Sequence, residues 1–274
     1  MMKPHYSIII PTLNEEKFLP KLLTSLTRQT VKNFDVVVVD GASVDRTVAV
    51  ARRYSNKLPL TIVTCDKAGV SRQRNIGAKT AKSDWLIFVD ADSVLLSNFI
   101  ERVDRYIKRT HVKFFTTWFK ADRDDSIHDI ATFLVMIAIQ GGILIKKPWA
   151  PGPLTVVTRD AFNIVGGYNE RISYGEDHEL GVAIYKKKIP FRILREVLYI
   201  YNFRRYRKEG TLKTFNRTFV STVNVIIKDK GLQSIKGFKS GGLMYNEKKK
   251  SKKNKFFKDL EISIRKIVTE FIMQ

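Results

Sequence analysis

The chain has 274 residues, of which 44% are hydrophobic, and its formal net charge is +22. This length and apolar content suffice for one large α/β domain, or for one domain with an extension, and they exclude a disordered tail. A single cysteine excludes a disulfide framework, and the four scattered histidines exclude a zinc-type ligand pattern.

The first hundred residues predict strands that alternate with helices. The apolar runs that predict buried strands lie at residues 7–10, 36–39, 60–63 and 85–89. Apolar residues at helical spacing follow the first two runs, and residues 69–82 are helix-like in composition. We expect Asn14 to cap the first helix and Asp45 to cap the second. Alternation of this kind predicts a parallel, doubly wound arrangement.

The organisation changes beyond residue 92. Apolar spacing predicts a helix around residues 99–107 and another from about residue 177 to 188. Strand-like runs lie at residues 114–119, 154–157, 191–194 and 198–201. We therefore expect a doubly wound α/β fold in a domain of residues 1–210. A basic, helical C-terminal extension is expected over residues 211–274.

Carboxylates follow two of the predicted strands. Asp90 and Asp92 come directly after the run at 85–89, and Asp40 follows the run at 36–39. Side chains at the carboxyl ends of strands in an open α/β sheet face the crevice where ligands bind. Oxygen ligands this close together suit a hard divalent cation that is shared with phosphate oxygens. The pattern indicates chemistry on a diphosphate, and ordinary turns or helix caps are the alternative.

The positive charge is concentrated in the last quarter of the chain. Residues 201–274 carry 19 Lys or Arg against 6 Asp or Glu, an excess of 13. Behind a lysine cluster at 248–255, apolar residues between 256 and 271 form one helical face, which is typical of a basic amphipathic helix on anionic lipid. A helix packed on the domain is the alternative. The apolar region 130–145 leaves a similar choice between a membrane-facing helix and a core or dimer-interface helix.

The sequence predicts neither a secretory signal nor a membrane span. The first apolar stretch ends at Pro11, and region 130–145 falls short of the roughly 18 apolar residues that a spanning helix needs. We expect a cytoplasmic protein, with peripheral contact to the cytoplasmic face of a membrane left open.

Six motifs over residues 5–200 make the chain resemble the inverting, nucleotide-sugar-dependent glycosyltransferases of family 2, which have the GT-A fold. In chain order, the motifs are SIIIPTLNE (7–15), VDGASVDRT (39–47), RNIG (74–77), DAD (90–92), GGYNE (166–170) and ED (176–177). Each motif is weak alone, and the ordered set is specific. The resemblance implies that the sheet is Rossmann-like and mixed. It also implies a hexosyltransferase-type enzyme with a nucleotide-sugar-binding half, 1–100, and an acceptor-binding half, 101–210.

The resemblance also implies roles for the matching residues. Asp40 would read the base, Arg74 would lie near the diphosphate, and Asp90 would meet the ribose or the metal. The residues implied in nucleotide binding are Pro11, Thr12, Leu13, Glu15, Asp40, Arg74 and Asp90.

Three further roles concern the metal, the acceptor and the chemical step. Asp92, together with Asp90, would hold Mg²⁺ or Mn²⁺. Asp177 would be the general base, and the alternative for this residue is a carboxylate that the helix dipole stabilises. Glu176 and Gly152 would lie on the acceptor or donor-sugar side.

The substrates are left open by the sequence. The donor would be a UDP-, GDP- or dTDP-sugar, and the acceptor a saccharide or a polyprenyl-phosphate lipid. The helix after residue 177 lacks the Gln-x-x-Arg-Trp motif of processive relatives, which argues against a polymer synthase.

Two other functions are considered. A sugar-phosphate nucleotidyltransferase would share the sheet and the metal. The aromatic and basic residues at 201–207 suggest a nucleic-acid-binding protein, but no nucleic-acid partner is expected because that function leaves the strand-end acids without a purpose. The phosphate-binding glycine loops of dehydrogenases and P-loop kinases are missing from the sequence.

Overall fold

A computed structural model describes residues 5–123 and 126–209, together with residue 225. The predicted extension at 211–274 therefore lies outside the described residues, except for residue 225. The described strands are β1 (Tyr6–Thr12), β2 (Phe34–Asp40), β3 (Leu60–Thr64), β4 (Trp85–Val89), β5 (Val94–Leu95), β6 (Phe114–Ala121), β7 (Leu154–Thr158) and β8 (Phe191–Tyr201). The described helices are α1 (Leu19–Thr27), α2 (Thr47–Arg52), α3 (Val70–Thr80), α4 (Phe99–Thr110), α5 (Ser126–Leu144), α6 (Arg159–Asn163), α7 (Glu176–Lys186) and α8 (Arg204–Glu209).

The strands form one mixed sheet, as the sequence predicts. Its order is β3-β2-β1-β4-β7-β6-β8-β5. Strands β1 to β4 are parallel to one another, whereas β7 runs antiparallel to both β4 and β6. Strand β8 is parallel to β6 and antiparallel to β5. Because β2, β1 and β4 are parallel neighbours, their carboxyl ends lie along one edge of the sheet.

Both faces of the sheet are covered, which explains the apolar character of its central strands. All of β1 is buried, and its side chains alternate between two cores. Ile8 and Ile10 belong to the core that α1 and α4 cover. Ile9 belongs to the other core, where α3 and α7 contribute Ala78 and Leu180.

The first helix begins later than the sequence predicts, and the expectation that Asn14 caps it is wrong. Its N-cap residue is Phe18, at the end of a turn in which the Phe18 N–H donates to Glu15 O at 3.1 Å. Asn14 instead has a positive φ of 52°, and its Oδ1 accepts a hydrogen bond from Val44 N at 2.9 Å. Asn14 therefore joins the loop after β1 to the loop after β2.

Other boundaries differ by smaller amounts. Helix α2 has Arg46 as its N-cap, while Asp45 lies one residue earlier and accepts a hydrogen bond from Thr47 N at 2.9 Å. The two strand-like runs predicted at 191–194 and 198–201 belong to one strand, β8, whose pairing with β6 shifts register between Thr117 and Phe119. Over the described part of the chain, no helix combines the length and the apolar character that crossing a membrane requires.

Candidate active site

A cavity of about 390 Å³ lies where the carboxyl ends of β1 and β4 meet the amino-terminal end of α7. Its walls come from both halves of the domain and from the segment after β8. The sequence-predicted site residues that line it are Pro11, Thr12, Leu13, Glu15, Arg74, Asp90, Asp92, Gly152, Glu176 and Asp177. The fold therefore brings together side chains that are up to 166 positions apart in the sequence, from Pro11 to Asp177.

Arg74 on α3 is the central cation of the cavity wall. Its side chain is only 2% exposed, and it donates to three carboxylates: Asp177 at 3.0 Å, Asp90 at 3.1 Å and Glu176 at 3.2 Å. It also donates to the carbonyl of Gly152 at 2.8 Å. A buried guanidinium requires such compensation, since an unpaired buried charge is costly. Arg74 thus fixes the relative positions of β4, the loop before β7 and α7.

Asp177 lies in the first turn of α7, one residue after Glu176. Burial raises the pKa of Asp177 well above its usual range, the charge of Arg74 opposes this rise, and the neighbouring Glu176 and Asp90 carboxylates add to it. A raised pKa makes the carboxylate a stronger base. A Cβ added at Gly152 would lie 2.9 Å from Asp177 Oδ2, so the absence of a side chain there leaves room for this carboxylate.

Asp90 and Asp92 both face the cavity after β4. Burial raises the pKa of each carboxyl to about 6, and the charge of Asp92 adds to the shift at Asp90. Each carboxylate has an arginine on one oxygen. Arg74 Nη2 is 3.1 Å from Asp90 Oδ1, and Arg204 Nε is 2.7 Å from Asp92 Oδ2.

These two residues fit a divalent cation that substrate also coordinates. Within the described ranges, no three His, Cys, Asp or Glu side chains are grouped as a complete metal site. Mg²⁺ commonly binds through one or two carboxylates and completes its shell with substrate phosphates and water. Two carboxylates with raised pKa values suit this arrangement, because a nearby cation favours their charged forms.

Arg204 is a site residue that the sequence reasoning missed. It belongs to the aromatic and basic stretch at 201–207, which suggested nucleic acid instead. In the structure its guanidinium is buried beside Asp92 and pairs with both carboxylate oxygens of Glu15. Burial raises the pKa of Glu15, and the Arg204 charge opposes that rise. The position of Arg204 three residues after the last predicted strand was the available signal.

Asp40 is the predicted nucleotide-binding residue that does not line the cavity. It is 1% exposed, and its carboxylate accepts hydrogen bonds from Ser43 N at 2.9 Å, Ser43 Oγ at 2.6 Å and Thr12 Oγ1 at 3.2 Å. Asp40 thereby holds the loop after β2 against the end of β1. Its predicted contact with the base stays a prediction.

Gln73 is a second residue that the sequence reasoning missed. Its buried amide donates to Thr12 O at 2.8 Å and to Val39 O at 2.7 Å, and its side chain lines the cavity. One side chain therefore joins the ends of β1 and β2, and no local pattern in the sequence predicts this contact. His178 also lines the cavity and is 4% exposed.

The mixed α/β sheet carries acids at its carboxyl edge, which is where open α/β sheets bind their ligands. The model of the family described as "Glycosyl transferase family 2" matches residues 7–153, which is more than half of the chain. The chain belongs to glycosyltransferase family 2, as the motifs suggest, and it is a glycosyltransferase.

Two curated relatives illustrate the similarity in sequence. An uncharacterized glycosyltransferase of Haemophilus influenzae is 28% identical over 203 residues, which cover 70% of this chain and 67% of that protein. TarS of Staphylococcus aureus, a poly(ribitol-phosphate) beta-N-acetylglucosaminyltransferase, is 35% identical over 115 residues. That alignment covers 40% of this chain and 20% of TarS, so the chain corresponds to a small part of this relative.

Two solved structures share the fold. The mannosyltransferase PcManGT of Pyrobaculum calidifontis, in complex with GDP-Man and Mn²⁺, superposes with a TM-score of 0.65 and 20% identity, over 85% of this chain and 66% of that one. Residues 1–349 of S. aureus TarS, in complex with UDP-GlcNAc, superpose with a TM-score of 0.61 and 22% identity, over 72% of this chain and 58% of that one. The predicted GT-A fold is confirmed.

Proposed function

We propose that the protein transfers a sugar from a nucleoside-diphosphate sugar to an acceptor hydroxyl, with inversion at the anomeric carbon. The observation that carries this proposal is the single cavity that holds Asp90, Asp92 and Asp177, with Arg74 bonded to the first and the last of them. Family membership favours glycosyl transfer over the nucleotidyltransferase and nucleic-acid alternatives. The bound GDP-Man and UDP-GlcNAc of the two structural neighbours support a nucleotide-sugar donor.

The chemical step is a single displacement. Asp177 takes the proton of the acceptor hydroxyl, and the acceptor oxygen forms its bond to the anomeric carbon. The bond from that carbon to the diphosphate oxygen breaks at the same time, and the nucleoside diphosphate leaves with the bonding electrons. Arg74 orients Asp177 through the 3.0 Å contact to Oδ1, while the raised pKa of Asp177 makes proton transfer to it more favourable.

Mg²⁺ or Mn²⁺ would be held by Asp92 and Asp90. When bound, the ion supplies positive charge beside the departing diphosphate. Arg74 is bonded to Asp90 and would hold this carboxylate in position for the ion. The Mn²⁺ in the PcManGT complex supports the use of a divalent ion.

We place the acceptor on the side of the cavity next to α5. Val135 of this helix and Trp149 line the cavity, and a Cβ at Gly142 would come within 3.1 Å of the Trp149 ring. The opposite face of the helix and the residue that follows it carry exposed apolar side chains, namely Phe133, Ile137, Leu144 and Ile145. An exposed apolar surface on the far side of the helix that lines the cavity favours peripheral contact with anionic membrane, and an enzyme placed there would meet a polyprenyl-phosphate lipid more readily than a free saccharide.

The proposed function is tested by thermal stabilisation of the full chain. UDP, GDP, CDP and dTDP are each added with and without Mn²⁺. A ligand at a hundred times its Kd stabilises the folded state by about 2.7 kcal/mol. We expect one nucleotide to raise the Tm in the presence of Mn²⁺, and Asp92→Asn to lose the metal-dependent part of this gain.

The matched control is Asp160→Asn, because Asp160 is an exposed carboxylate in the first turn of α6 and does not line the cavity. This variant should respond as the wild type does. Absence of stabilisation by all four nucleotides would refute the proposed donor class. Release of pyrophosphate from a nucleoside triphosphate and a sugar phosphate would instead identify a nucleotidyltransferase.

A further inference from the structure

Arg204 contacts Asp92, the carboxylate that the proposed function assigns to the metal. Its Nε atom lies 2.7 Å from Asp92 Oδ2. Its Nη1 atom donates to Glu15 Oε2 at 2.7 Å, and its Nη2 atom donates to Glu15 Oε1. The guanidinium also stacks 4.3 Å from the ring centroid of Phe18. The arginine side chain is 10% exposed, so the protein encloses the positive charge of the guanidinium at this position.

The backbone around Arg204 holds the guanidinium in place. The Arg204 N–H donates to Asn202 Oδ1 at 3.0 Å, and the Phe203 N–H donates to Asp122 Oδ1 at 3.2 Å. These contacts attach the start of α8 to the end of β8 and to the residue after β6. The contact to Glu15 joins positions that are 189 residues apart. Arg204 therefore connects the segment after β8 with the loop after β1.

The contact between Arg204 and Asp92 opposes metal binding at the same carboxylate. A Mg²⁺ ion bound to a carboxylate oxygen lies about 2.1 Å from it. At Oδ2 of Asp92 it would face the Arg204 N–H groups, and like charges at this distance repel strongly. Arg204 is the cation paired with both Glu15 and Asp92, so the guanidinium compensates the charge of these acids when no metal is bound.

We propose that Arg204 is a displaceable counter-ion of Asp92, so that a divalent cation alone binds poorly and is loaded together with the donor diphosphate. This inference rests on the proposed function, because it takes Asp92 as a metal ligand. The diphosphate supplies both further ligands for the cation and a new anionic partner for the displaced guanidinium. By linkage, the nucleotide and the cation then strengthen each other's binding by the same factor.

The test measures the binding of Mn²⁺ to the full chain without nucleotide, for the wild type and for Arg204→Met. The electron paramagnetic resonance signal of the free ion reports how much Mn²⁺ stays unbound. We expect the variant to bind Mn²⁺ more tightly than the wild type, by roughly 5- to 150-fold, the usual range of such coupling. We also expect UDP, or whichever nucleotide stabilises the protein, to strengthen Mn²⁺ binding less in the variant than in the wild type.

The matched control is Arg102→Met, which removes a bidentate arginine pair that does not line the cavity. Arg102 Nε and Nη2 each donate to Glu196 at 2.6 Å. This variant should bind Mn²⁺ as the wild type does. If Arg204→Met does not fold, Arg204→Lys replaces it. Lysine lacks the planar fork that engages Glu15 and Asp92 together, so Mn²⁺ should again bind several-fold more tightly.

The outcomes distinguish this inference from the proposed function. Equal or weaker Mn²⁺ binding in the Arg204 variants, with metal-dependent nucleotide binding intact, overturns the counter-ion role and leaves the glycosyltransferase proposal standing. Absence of nucleotide binding in every protein refutes the proposed function, while the comparison of Mn²⁺ affinities can still be read. Tighter Mn²⁺ binding in the Arg204 variants, with wild-type binding in Arg102→Met, supports the counter-ion role.

Discussion

At the scale of single residues, the cavity is organised by two buried arginines among five carboxylates. Arg74 contacts Asp90, Glu176 and Asp177. Arg204 contacts the other two acids, Glu15 and Asp92. The acids outnumber these arginines, and burial raises the pKa values of several of them. A site of this kind is prepared for additional positive charge, or for a reaction in which one acid accepts a proton.

Asp177→Asn tests the assignment of the general base. The amide keeps an oxygen for the Arg74 hydrogen bond, but it cannot accept the acceptor proton. General-base contributions are typically 10²- to 10⁴-fold, so we expect transfer to fall by at least about 10²-fold. Metal-dependent nucleotide binding should be retained, as measured by thermal stabilisation. Asp160→Asn, also in the first turn of a helix, should transfer at the wild-type rate.

Wild-type turnover in Asp177→Asn would remove Asp177 from the mechanism. If the variant loses both nucleotide binding and turnover, Asp177 instead maintains the donor site through Arg74. The two measurements therefore separate a role in proton transfer from a role in binding.

The carboxyl groups of Asp90 and Asp92 predict how the stability of the metal-free protein depends on pH. Their pKa values are about 6 in the folded protein and 3.8 ordinarily, so the folded state holds more protons between these values. The contribution of these two groups to the free energy of unfolding is therefore greatest below pH 3.8, and it is lost as the pH rises through about 6. Between pH 5 and 7 the loss should be about 1 kcal/mol per carboxylate.

Urea denaturation in the presence of a chelator measures this effect. In Asp92→Asn we expect a smaller loss of stability between pH 5 and 7 than in the wild type, because one titrating group is removed. The charge of Asp92 also adds to the raised pKa of Asp90, so its removal should reduce the loss at Asp90 as well. If Asp92→Asn lost as much stability between pH 5 and 7 as the wild type, the raised pKa of Asp92 would be contradicted. Asp160→Asn should show the same loss as the wild type.

The sequence is informative about residues whose role depends on local position, and less so about contacts made across the fold. Asp90 and Asp92 follow a strongly apolar run, so their place at the sheet edge is predictable. The partner of Asp92 is not, because Arg204 lies 112 positions later in the chain. Asp40 occupies a predictable strand end, yet its side chain turns to Ser43 and Thr12, which periodicity does not reveal.

At the scale of elements, α7 and the loop before β7 meet at a glycine. A Cβ at Gly181 would lie 2.4 Å from Pro148 O and 3.0 Å from Trp149 Cα. Both atoms belong to backbone, so neither can move aside as a flexible side chain would. The same loop carries Gly152, whose carbonyl accepts the Arg74 hydrogen bond. Close packing of α7 against this loop therefore positions one wall of the cavity.

Gly181→Ala should displace that loop. We expect a loss of about 1–3 kcal/mol in the free energy of unfolding, the usual cost of overpacking, with a fall in transfer activity. Gly141→Ala is the matched control, because Gly141 is also within a helix and a Cβ there meets nothing within 4 Å. That change should be neutral or stabilising. Urea denaturation compares the two variants, and equal stability would contradict the packing argument.

Elements with clear apolar periods are predictable, and elements fixed by tertiary contacts are not. Strand β4 has the predicted bounds because five consecutive apolar residues are buried on both faces of the sheet. The short strand β5 depends on pairing with β8, about a hundred residues later, and was not predicted. The start of α1 was misplaced because Asn14, a good capping residue, bonds to the loop after β2 instead.

At the scale of the whole molecule, positive charge and an exposed apolar surface occur together. The chain has a net charge of +22, and Lys146 and Lys147 directly follow the exposed Leu144 and Ile145. Anionic lipid would attract the basic residues and receive the apolar ones, whereas nucleic acid would engage the charge alone. The two partners therefore predict different responses to a mutation that changes only the apolar surface.

Sedimentation with vesicles of phosphatidylcholine and phosphatidylglycerol tests this distinction on the full chain. Leu144, which is 83% exposed, is changed to Glu, and Val44, which is 84% exposed in the loop after β2, is changed to Glu as the control. Both substitutions add the same charge, so the attraction of the whole chain to anionic lipid falls equally. Because burying a leucine side chain contributes about 1.5–3 kcal/mol, Leu144→Glu should weaken vesicle binding by roughly tenfold or more relative to Val44→Glu. Equal binding of the two variants would exclude α5 as a lipid contact, and equal retention on duplex DNA at low salt is expected for both.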